Sequence, residues 1–339
     1  MPASAMAGDA PPPPLARMAA RDAMTLENPV ASALLPVVVL IAIGFVAGRM
    51  RLIRAEAVRD LSNLVFLVLV QALLFRTMAT TQLAQLDLRS VALYYVVAGA
   101  LFFALLLARG LTSRSAVLAL AAIFSNTLMI GVPLVQLAYG QEALALLFTL
   151  ISMHALILLT LATVVLELLV AREQAQAGQG PRRHIVATVA QAVKNAILHP
   201  VPLPIIAGYL YSLTGWGLHP VVERPLKLLG DAFGPVALVL VGVTLARTVI
   251  GPHLRGALGL SALKLILHPA LMAAAGWLLG LHGLPLAVMV VAAALPVGAN
   301  VFLFSQRYHT EEDLVTATVA VSTLMAVGTI LVVMALLRV

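Results

Sequence analysis

The chain has 339 residues, of which 62% are hydrophobic and only 10% are charged, and its mean hydropathy is +1.04. A soluble domain carries about 25% charged residues, so this composition predicts an integral membrane protein. The net charge of +7 does not indicate nucleic-acid binding, because the basic residues lie in short groups between apolar runs. The lack of cysteine excludes disulfides and thiolate metal sites.

The first 27 residues contain a proline tract and no long apolar run, so we predict a disordered tail over 1–27. Ten apolar segments follow, each predicted to cross the bilayer as a helix. A polar stretch separates five of them from the other five, which gives a first repeat over 28–170, a cytoplasmic linker over 171–195 and a second repeat over 196–339. The predicted spans are Asn28–Gly48, Leu61–Phe75, Ser90–Ala108, Ser115–Gln141, Ala143–Leu166, Ala196–Trp216, Ala232–Ala246, Gly256–Leu281, Leu284–Gln306 and Leu314–Leu336.

The distribution of cations predicts the orientation. The loops after the odd-numbered spans carry 13 lysines and arginines, whereas the opposite side carries 7. Cytoplasmic loops are enriched in positive residues, so both termini are predicted to be periplasmic. Arginine supplies 18 of the 21 cations, which is typical of a GC-rich bacterial genome and favours a bacterial inner membrane.

Two segments indicate an internal repeat. The first span contains PVVVLIAIGFV, 36–46, and the sixth contains PVPLPIIAGYL, 200–210, with Pro, Val, Ile and Gly at the same string positions. A chance match between apolar segments is the alternative. Five spans in each half would make the repeats inverted in the membrane, an arrangement of many transporters with a substrate site at mid-membrane.

The fourth and ninth predicted spans are both interrupted by helix-breaking residues. Proline removes a backbone donor and glycine loosens the helix, and unsatisfied backbone groups are costly in lipid. Such interruptions are tolerated inside protein or beside a watery cavity. The candidate residues are Ser125, Asn126, Thr127, Gly131 and Pro133 in FSNTLMIGVPLV, 124–135, and Pro296, Gly298 and Asn300 in ALPVGANVF, 294–302.

Two such breaks facing each other would form an anion site. The N-terminal ends of the half-helices carry partial positive charge, unpaired N–H groups lie beside them, and the amides of Asn126 and Asn300 donate without needing a counter-ion. This chemistry fits a small carboxylate. The alternative is that the prolines and glycines only kink packed helices.

The segments SNTLMIGVPLV and ALPVGANVFLFSQRY resemble the paired signature segments of the auxin efflux carrier family, which includes bacterial carriers similar to malate and malonate permeases. The resemblance implies ten helices as two inverted five-helix repeats, with helices 4 and 9 broken and crossing at the substrate site. It also implies a scaffold of helices 1, 2, 6 and 7 and a transport domain of helices 3–5 and 8–10 that moves as an elevator. We expect a homodimer.

Two positions depart from the family pattern. Plant members have proline before the asparagine of the fourth span, where this chain has Ser125. Many relatives have proline in the second span, where this chain has Gln71, and its amide is a candidate substrate contact.

Ionisable residues inside spans are costly and indicate function. His154 is the deepest, and it is either a substrate contact or proton carrier, or a neutral histidine hydrogen-bonded within the bundle. Lys264 and His268 share one face of the eighth span; Lys264 either extends to the interface or adds positive field to the pathway. The acidic residues avoid the span centres.

Three classes of function remain. A carrier of small organic anions is favoured, with no cofactor. A symporter or antiporter coupled to H⁺ or Na⁺, on a bile-acid-symporter-like fold, is the alternative; it usually needs midplane carboxylates, although backbone carbonyls also bind Na⁺. An intramembrane enzyme is disfavoured, since no H-E-x-x-H, G-x-S-x-G or acidic metal cluster occurs in the sequence.

Overall fold

The computed structural model describes residues 29–80, 88–176, 202–248 and 250–337. The predicted tail over 1–27 and most of the predicted linker over 171–195 lie outside these residues. The described chain forms twelve main helical segments, numbered here in chain order. They are α1 (Pro29–Arg49), α2 (55–80), α3 (Leu88–Arg109), α4 (Ser113–Ile123), α5 (127–139), α6 (141–176), α7 (Pro202–Ser212), α8 (Pro220–Leu245), α9 (254–278), α10 (Gly283–Ala294), α11 (Asn300–Arg307) and α12 (Glu312–Leu337).

The helices have the length and composition of a membrane protein. Six helical stretches of the described chain are long and apolar enough to cross a membrane, and the shorter apolar helices α1, α4, α7 and α10 accompany them. The longest stretch, 127–176, is divided at Gly140, whose φ of 75° and ψ of −162° turn the chain between α5 and α6. The predicted all-α membrane class is therefore confirmed.

The second and seventh predicted spans were wrong in length, because charged residues continue both helices. In the structure α2 reaches Thr80 and α8 begins at Pro220. The Arg76 guanidinium in α2 binds the Glu223 carboxylate in α8, with Nη2 and Oε1 2.7 Å apart. Each charge compensates the other, so both helices continue beyond their apolar runs. A criterion that ends a span at its first charge cannot detect such a pair.

Four helices contain a wide, π-helical turn, and one of these turns explains Gln71. Such turns leave backbone carbonyls without their usual partner. Gln71 donates its side-chain amide to the carbonyl of Phe66, at 2.8 Å, inside its own helix. The amide proposed as a substrate contact therefore already satisfies a local backbone group. The turns are Val65–Leu69, Thr127–Gly131, Ala155–Leu159 and Leu263–Leu267.

The helices pack in two groups. In one, α1 packs extensively against α8, and α2 packs against both α7 and α8. In the other, α3 packs against α4 and α9, while α10 and α12 pack against each other and against α9. Contacts of α1 with α12, and of α1, α2, α7 and α8 with the stretch that contains α5 and α6, join the two groups.

Two glycines bring helices of the first group into backbone contact. A Cβ at Gly44 in α1 would lie 2.0 Å from the carbonyl oxygen of Val239 in α8. A Cβ at Gly208 in α7 would lie 2.5 Å from the carbonyl oxygen of Phe75 in α2. The two glycines are 164 residues apart, and so are their two partners, Phe75 and Val239. The glycines of the repeated sequence strings thus make corresponding contacts in the two halves.

Candidate functional site

The predicted interruptions are present in both helical pairs. Helix α4 ends at Ile123, and Phe124 is extended, with φ −83° and ψ 113°, before α5 begins. Helix α10 ends at Ala294, and Leu295 is likewise extended, with φ −63° and ψ 151°. The following Pro296 has no N–H to continue a helix, so the chain resumes helical form only at Asn300.

Backbone hydrogen bonds join the two interruptions side by side. Asn126 donates its backbone N–H to the carbonyl of Pro296 at 2.8 Å, and Gly298 donates to the carbonyl of Phe124 at 3.0 Å. Ser125 and Val297 face each other between these bonds in an antiparallel bridge. Two of the donors that we expected to be free for an anion are therefore used to hold the breaks together.

The glycines of the two breaks permit this close approach. A Cβ at Gly131 would lie 2.6 Å from Cδ1 of Leu295, and one at Gly298 would lie 2.7 Å from the ring of Phe124. Both glycines are buried. A side chain at either position would clash with the opposite segment, so these glycines allow the two segments to pack together.

Pro133 does not lie at the interruption. It is buried and follows the wide turn Thr127–Gly131, near Gly234 of α8. A proline clashes with the carbonyl four residues earlier, here that of Met129, and a wide turn at this place relieves the clash. The break itself falls at Ser125 and Asn126, where no proline is present.

The side chains of Ser125 and Asn126 have different surroundings. The buried Ser125 hydroxyl lies 3.0 Å from the Tyr94 hydroxyl, and it faces the helices behind the break. Asn126 is half-buried and accepts the backbone N–H of Met129 at its Oδ1, 3.3 Å away, so it caps the start of α5. Its amide nitrogen has no partner among the described residues. Thr127 follows, and it is buried.

Asn300 is the first residue of α11, and it is half-buried. Within the described part of the chain, its side-chain amide and its backbone N–H have no hydrogen-bond partner. The preceding Ala299 is exposed. Asn126 and Asn300 therefore offer free side-chain donors at the starts of α5 and α11, beside the two joined breaks.

Behind the breaks lies a buried basic cluster, formed by His154, Lys264 and His268, all almost fully inaccessible. The ring of His154 lies 4.5 Å from that of Phe124, centroid to centroid, and Lys264 is near enough to both histidines to interact with them electrostatically. Nζ of Lys264 donates to the carbonyl of Ala293, in the last turn of α10. The extension of Lys264 to the membrane interface was therefore a wrong interpretation.

One alternative for His154 was a neutral ring hydrogen-bonded within the bundle, and the structure shows no such hydrogen bond. Neither ring nitrogen of His154 or His268 has a partner among the described residues. The ring of Phe124, which belongs to the break, packs against His154, and the His154 side chain is only 3% exposed. Direct contact of His154 with a substrate at the break would require Phe124 to move.

Sequence reasoning missed three polar residues. Tyr94 and Ser322 bind the breaks, the latter by accepting the backbone N–H of Val297 at 3.1 Å. Glu167 was assigned to a span end, but it is buried and accepts the Tyr308 hydroxyl at 2.9 Å, with the Arg307 guanidinium 3.9 Å away. The helical spacing of Ser322 in α12 gave no signal of this role, because its partner is 25 residues distant.

Residues 29–334 match the protein family described as membrane transport protein. The chain belongs to the auxin efflux carrier family of membrane transporters. A proposed malonate transporter of Rhizobium meliloti (strain 1021) is 28% identical over 306 residues, which cover 87% of this chain and 92% of that protein. Auxin efflux carrier component 8 of Arabidopsis thaliana is 25% identical over 247 residues, covering 62% of this chain and 67% of the plant protein.

A transporter of Methanothermobacter thermautotrophicus is 23% identical over 299 residues, covering 86% of this chain and 93% of that protein. The family and these relatives are transporters, so the chain is a multi-pass membrane transporter and not an enzyme. The family assignment made from the two broken segments is thereby confirmed, and so is its exclusion of an intramembrane enzyme.

Proposed function

We propose that this transporter carries small organic carboxylate anions, similar to malonate or malate or to an aromatic acid, across the bacterial inner membrane. The observation that carries the proposal is the pair of joined breaks, with the free amides of Asn126 and Asn300 at the starts of two half-helices. Among the proteins it resembles, one is a proposed malonate transporter.

Three features favour an anion at this place. The N-terminal ends of α5 and α11 carry partial positive charge from their peptide dipoles. The side-chain amides donate hydrogen bonds to a carboxylate without bringing a competing negative charge. The Lys264 amine lies one turn from the second break, where in its protonated form it would attract an anion, and the buried side chains of the described residues include a single carboxylate, Glu167, already bound to Tyr308.

We propose an elevator movement of two domains built as inverted repeats. The group α1, α2, α7 and α8 would form the scaffold, and α3–α6 with α9–α12 would form the transport domain. Helix packing within each group supports this division. The corresponding glycine contacts in the two halves and the matched pair of hydrogen bonds at the breaks support a two-fold relation between the repeats. The homodimer and the periplasmic termini belong to the same proposal.

The test is uptake by the purified transporter in liposomes, with malonate, malate and aromatic acids offered singly under imposed pH, Na⁺ and voltage gradients. The double variant Asn126→Ala/Asn300→Ala is expected to lose uptake of the preferred acid. The matched control is Asn63→Ala, which makes the same chemical change at an exposed position of α2. Equal uptake by the double variant and the wild type would refute the site.

Coupling to an ion is the second candidate, and the buried basic cluster favours H⁺ over Na⁺. Histidine exchanges protons near neutral pH, and a buried lysine can also do so. The described residues contain no group of three or more histidine, cysteine or acidic side chains that could hold a metal ion. Backbone carbonyls also bind Na⁺, so the Na⁺ gradient is tested as well. Uptake that follows a pH gradient and ignores Na⁺ would support proton coupling, whereas uptake that follows voltage alone would support an uncoupled carrier.

A further inference from the structure

A basic cleft lies at the C-terminal ends of α1 and α8, away from the two breaks. Its volume is about 550 Å³, and four arginines line it together with one carboxylate, that of Glu56. The first three arginines follow one another closely in the chain, and the fourth comes from the end of α8. They are Arg49, Arg51, Arg54 and Arg247.

Close packing of two helix ends and a hydrogen bond from a side chain to a backbone carbonyl shape this cleft. A Cβ at Gly48 would lie 2.9 Å from the Cβ of Ala246, so the two helix ends meet without a side chain between them. Arg51 has a φ of 59°, which turns the chain after α1. Arg247 donates from Nη2 to the carbonyl of Ile53 at 2.5 Å, which ties the turn to α8. The arginines therefore face one shaped opening.

Within the described part of the chain, one carboxylate, that of Glu56, lines the cleft beside these four charges. Among the described residues, none of the four arginines forms an ion pair. Some arginines elsewhere in the chain are paired, since Arg114 binds Glu311 at 2.8 Å and Arg307 lies 3.9 Å from Glu167. What distinguishes the four is that they line one cleft. Helix C-termini favour cations through the peptide dipoles, but that effect is modest and does not require four arginines in one opening.

The corresponding turn of the other half, after α7, carries no arginine. Counting 164 residues onward from Arg49, Arg51 and Arg54 reaches Leu213, Gly215 and Leu218 at the end of α7. The enrichment of cations on the cytoplasmic side accounts for positive loops in general. It does not account for the convergence of four arginines on one cleft. This convergence indicates a ligand that binds several cations at once.

Apolar side chains beside the cleft identify the ligand class. Met50 and Leu52 alternate with the arginines and are 64% and 70% exposed, and Val46 on the preceding turn is 53% exposed. A ligand held here would meet cations at one end and an apolar helix face at the other. Basic pockets between membrane helices bind anionic lipid headgroups, and guanidinium groups bind phosphate through paired hydrogen bonds.

We propose that the cleft binds the phosphate of an anionic phospholipid, whose acyl chains lie along the exposed face of α1. The phosphate accepts hydrogen bonds from the guanidinium groups of Arg49 and Arg54, while Arg51 and Arg247 add positive charge and maintain the turn. This site is independent of the substrate site, since it lies on α1 and α8 and shares no residue with the two breaks.

The test measures lipid binding to the purified full-length transporter in detergent by native mass spectrometry. Phosphatidylglycerol and phosphatidylcholine of equal chain length are compared, in the wild type and in Arg49→Gln/Arg54→Gln. The control is Arg59→Gln/Arg255→Gln, which removes two exposed arginines that do not line the cleft. We expect the cleft variant to lose affinity for phosphatidylglycerol by about tenfold, and the control to retain it.

Inorganic phosphate and glycerol phosphate serve as soluble competitors for the wild type, and their use does not depend on any variant folding. The proposal predicts that millimolar concentrations of either displace little phosphatidylglycerol, since they lack acyl chains. Equal binding of both lipids, equal affinities in both double variants, or full displacement by free phosphate would each overturn it, the last in favour of a soluble phosphate ligand.

Discussion

At the residue scale, the proposed anion site depends on Asn126 and Asn300, because each places a neutral amide at the start of a half-helix. A carboxylate would be more favourable there for the helix itself, since acidic groups interact well with the N-terminal dipole. An amide instead leaves the positive end of the helix available to a negatively charged ligand. Ser125, in contrast, is turned away from the opening and holds the break to Tyr94.

The first prediction separates binding from stability at Asn300. Asn300→Asp changes no volume and is expected to leave the melting temperature unchanged or slightly higher. It introduces a charge that repels a bound anion, and two like charges about 4 Å apart at an effective dielectric constant of about 20 repel by about 4 kcal/mol. Allowing for partial solvent screening, we expect affinity for the acid to fall by about 100-fold.

Binding is measured by concentration-dependent thermal shift and by liposome uptake. Asn63→Asp adds the same charge at an exposed site on α2 and is the control. Unchanged affinity in Asn300→Asp would place the anion elsewhere.

The second prediction tests whether Lys264, which is buried and contacts α10 next to the break, acts there as a cation. Lys264→Met keeps the length of the side chain and removes its charge, so uptake of the acid is expected to fall by about tenfold or more, through a higher KM. Buried charges are costly, so folding stability should stay the same or increase. Lys227→Met, at an exposed residue paired with Asp231, is the control. Wild-type KM in Lys264→Met would assign the lysine a structural role.

At the element scale, backbone contacts between helices matter more than side-chain interdigitation in the first helix group. Gly44 and Gly242 lie where α1 and α8 touch, and a Cβ at either would lie 2.0 Å from a carbonyl oxygen of the opposite helix. Gly208 permits the corresponding contact of α7 with α2. These contacts are rigid, because a backbone carbonyl cannot move aside as a flexible side chain can.

The third prediction follows from this rigidity. Gly44→Ala is expected to destabilise the transporter by about 1–3 kcal/mol, because the added methyl group forces α1 and α8 apart. Gly99→Ala is the matched control, since nothing lies within 4 Å of its Cβ position in α3, and alanine favours a helix over glycine by up to about 1 kcal/mol. Both are measured by thermal unfolding in detergent. A lower melting temperature for Gly99→Ala than for Gly44→Ala would contradict the packing.

The sequence was sufficient to predict an all-helical membrane protein and an interruption in each of the fourth and ninth spans, because apolar run length and the spacing of Pro296, Gly298 and Asn300 are local signals. It misplaced Pro133, which follows the wide turn and not the break. It was not sufficient for helix ends such as those of α2 and α8, where Arg76 and Glu223 compensate each other across two helices. It also could not show that the backbone donors of Asn126 and Gly298 are occupied, since their partners lie about 170 residues away.

At the scale of the whole molecule, a pocket of about 260 Å³ lies between the two groups of helices. Met78 of α2 and Ile205 of α7 line it from the proposed scaffold, and Thr149 and Ser152 of α6 line it from the proposed transport domain. An elevator movement would change the distance between these walls, whereas a carrier that only opens local gates would leave the distance constant.

The last prediction tests this difference by cross-linking. The chain contains no native cysteine, so only the introduced thiols can react. The double variant Ser152→Cys/Ile205→Cys places one thiol on each wall of the cavity. Oxidation or a mercury cross-link is expected to abolish uptake, because it fixes α6 to α7, and reduction is expected to restore it in the same liposomes. The single variants, treated identically, control for modification of either thiol. Uptake that continues after complete cross-linking would show that these walls do not move past each other, and the elevator proposal would fail while the anion site remained untouched.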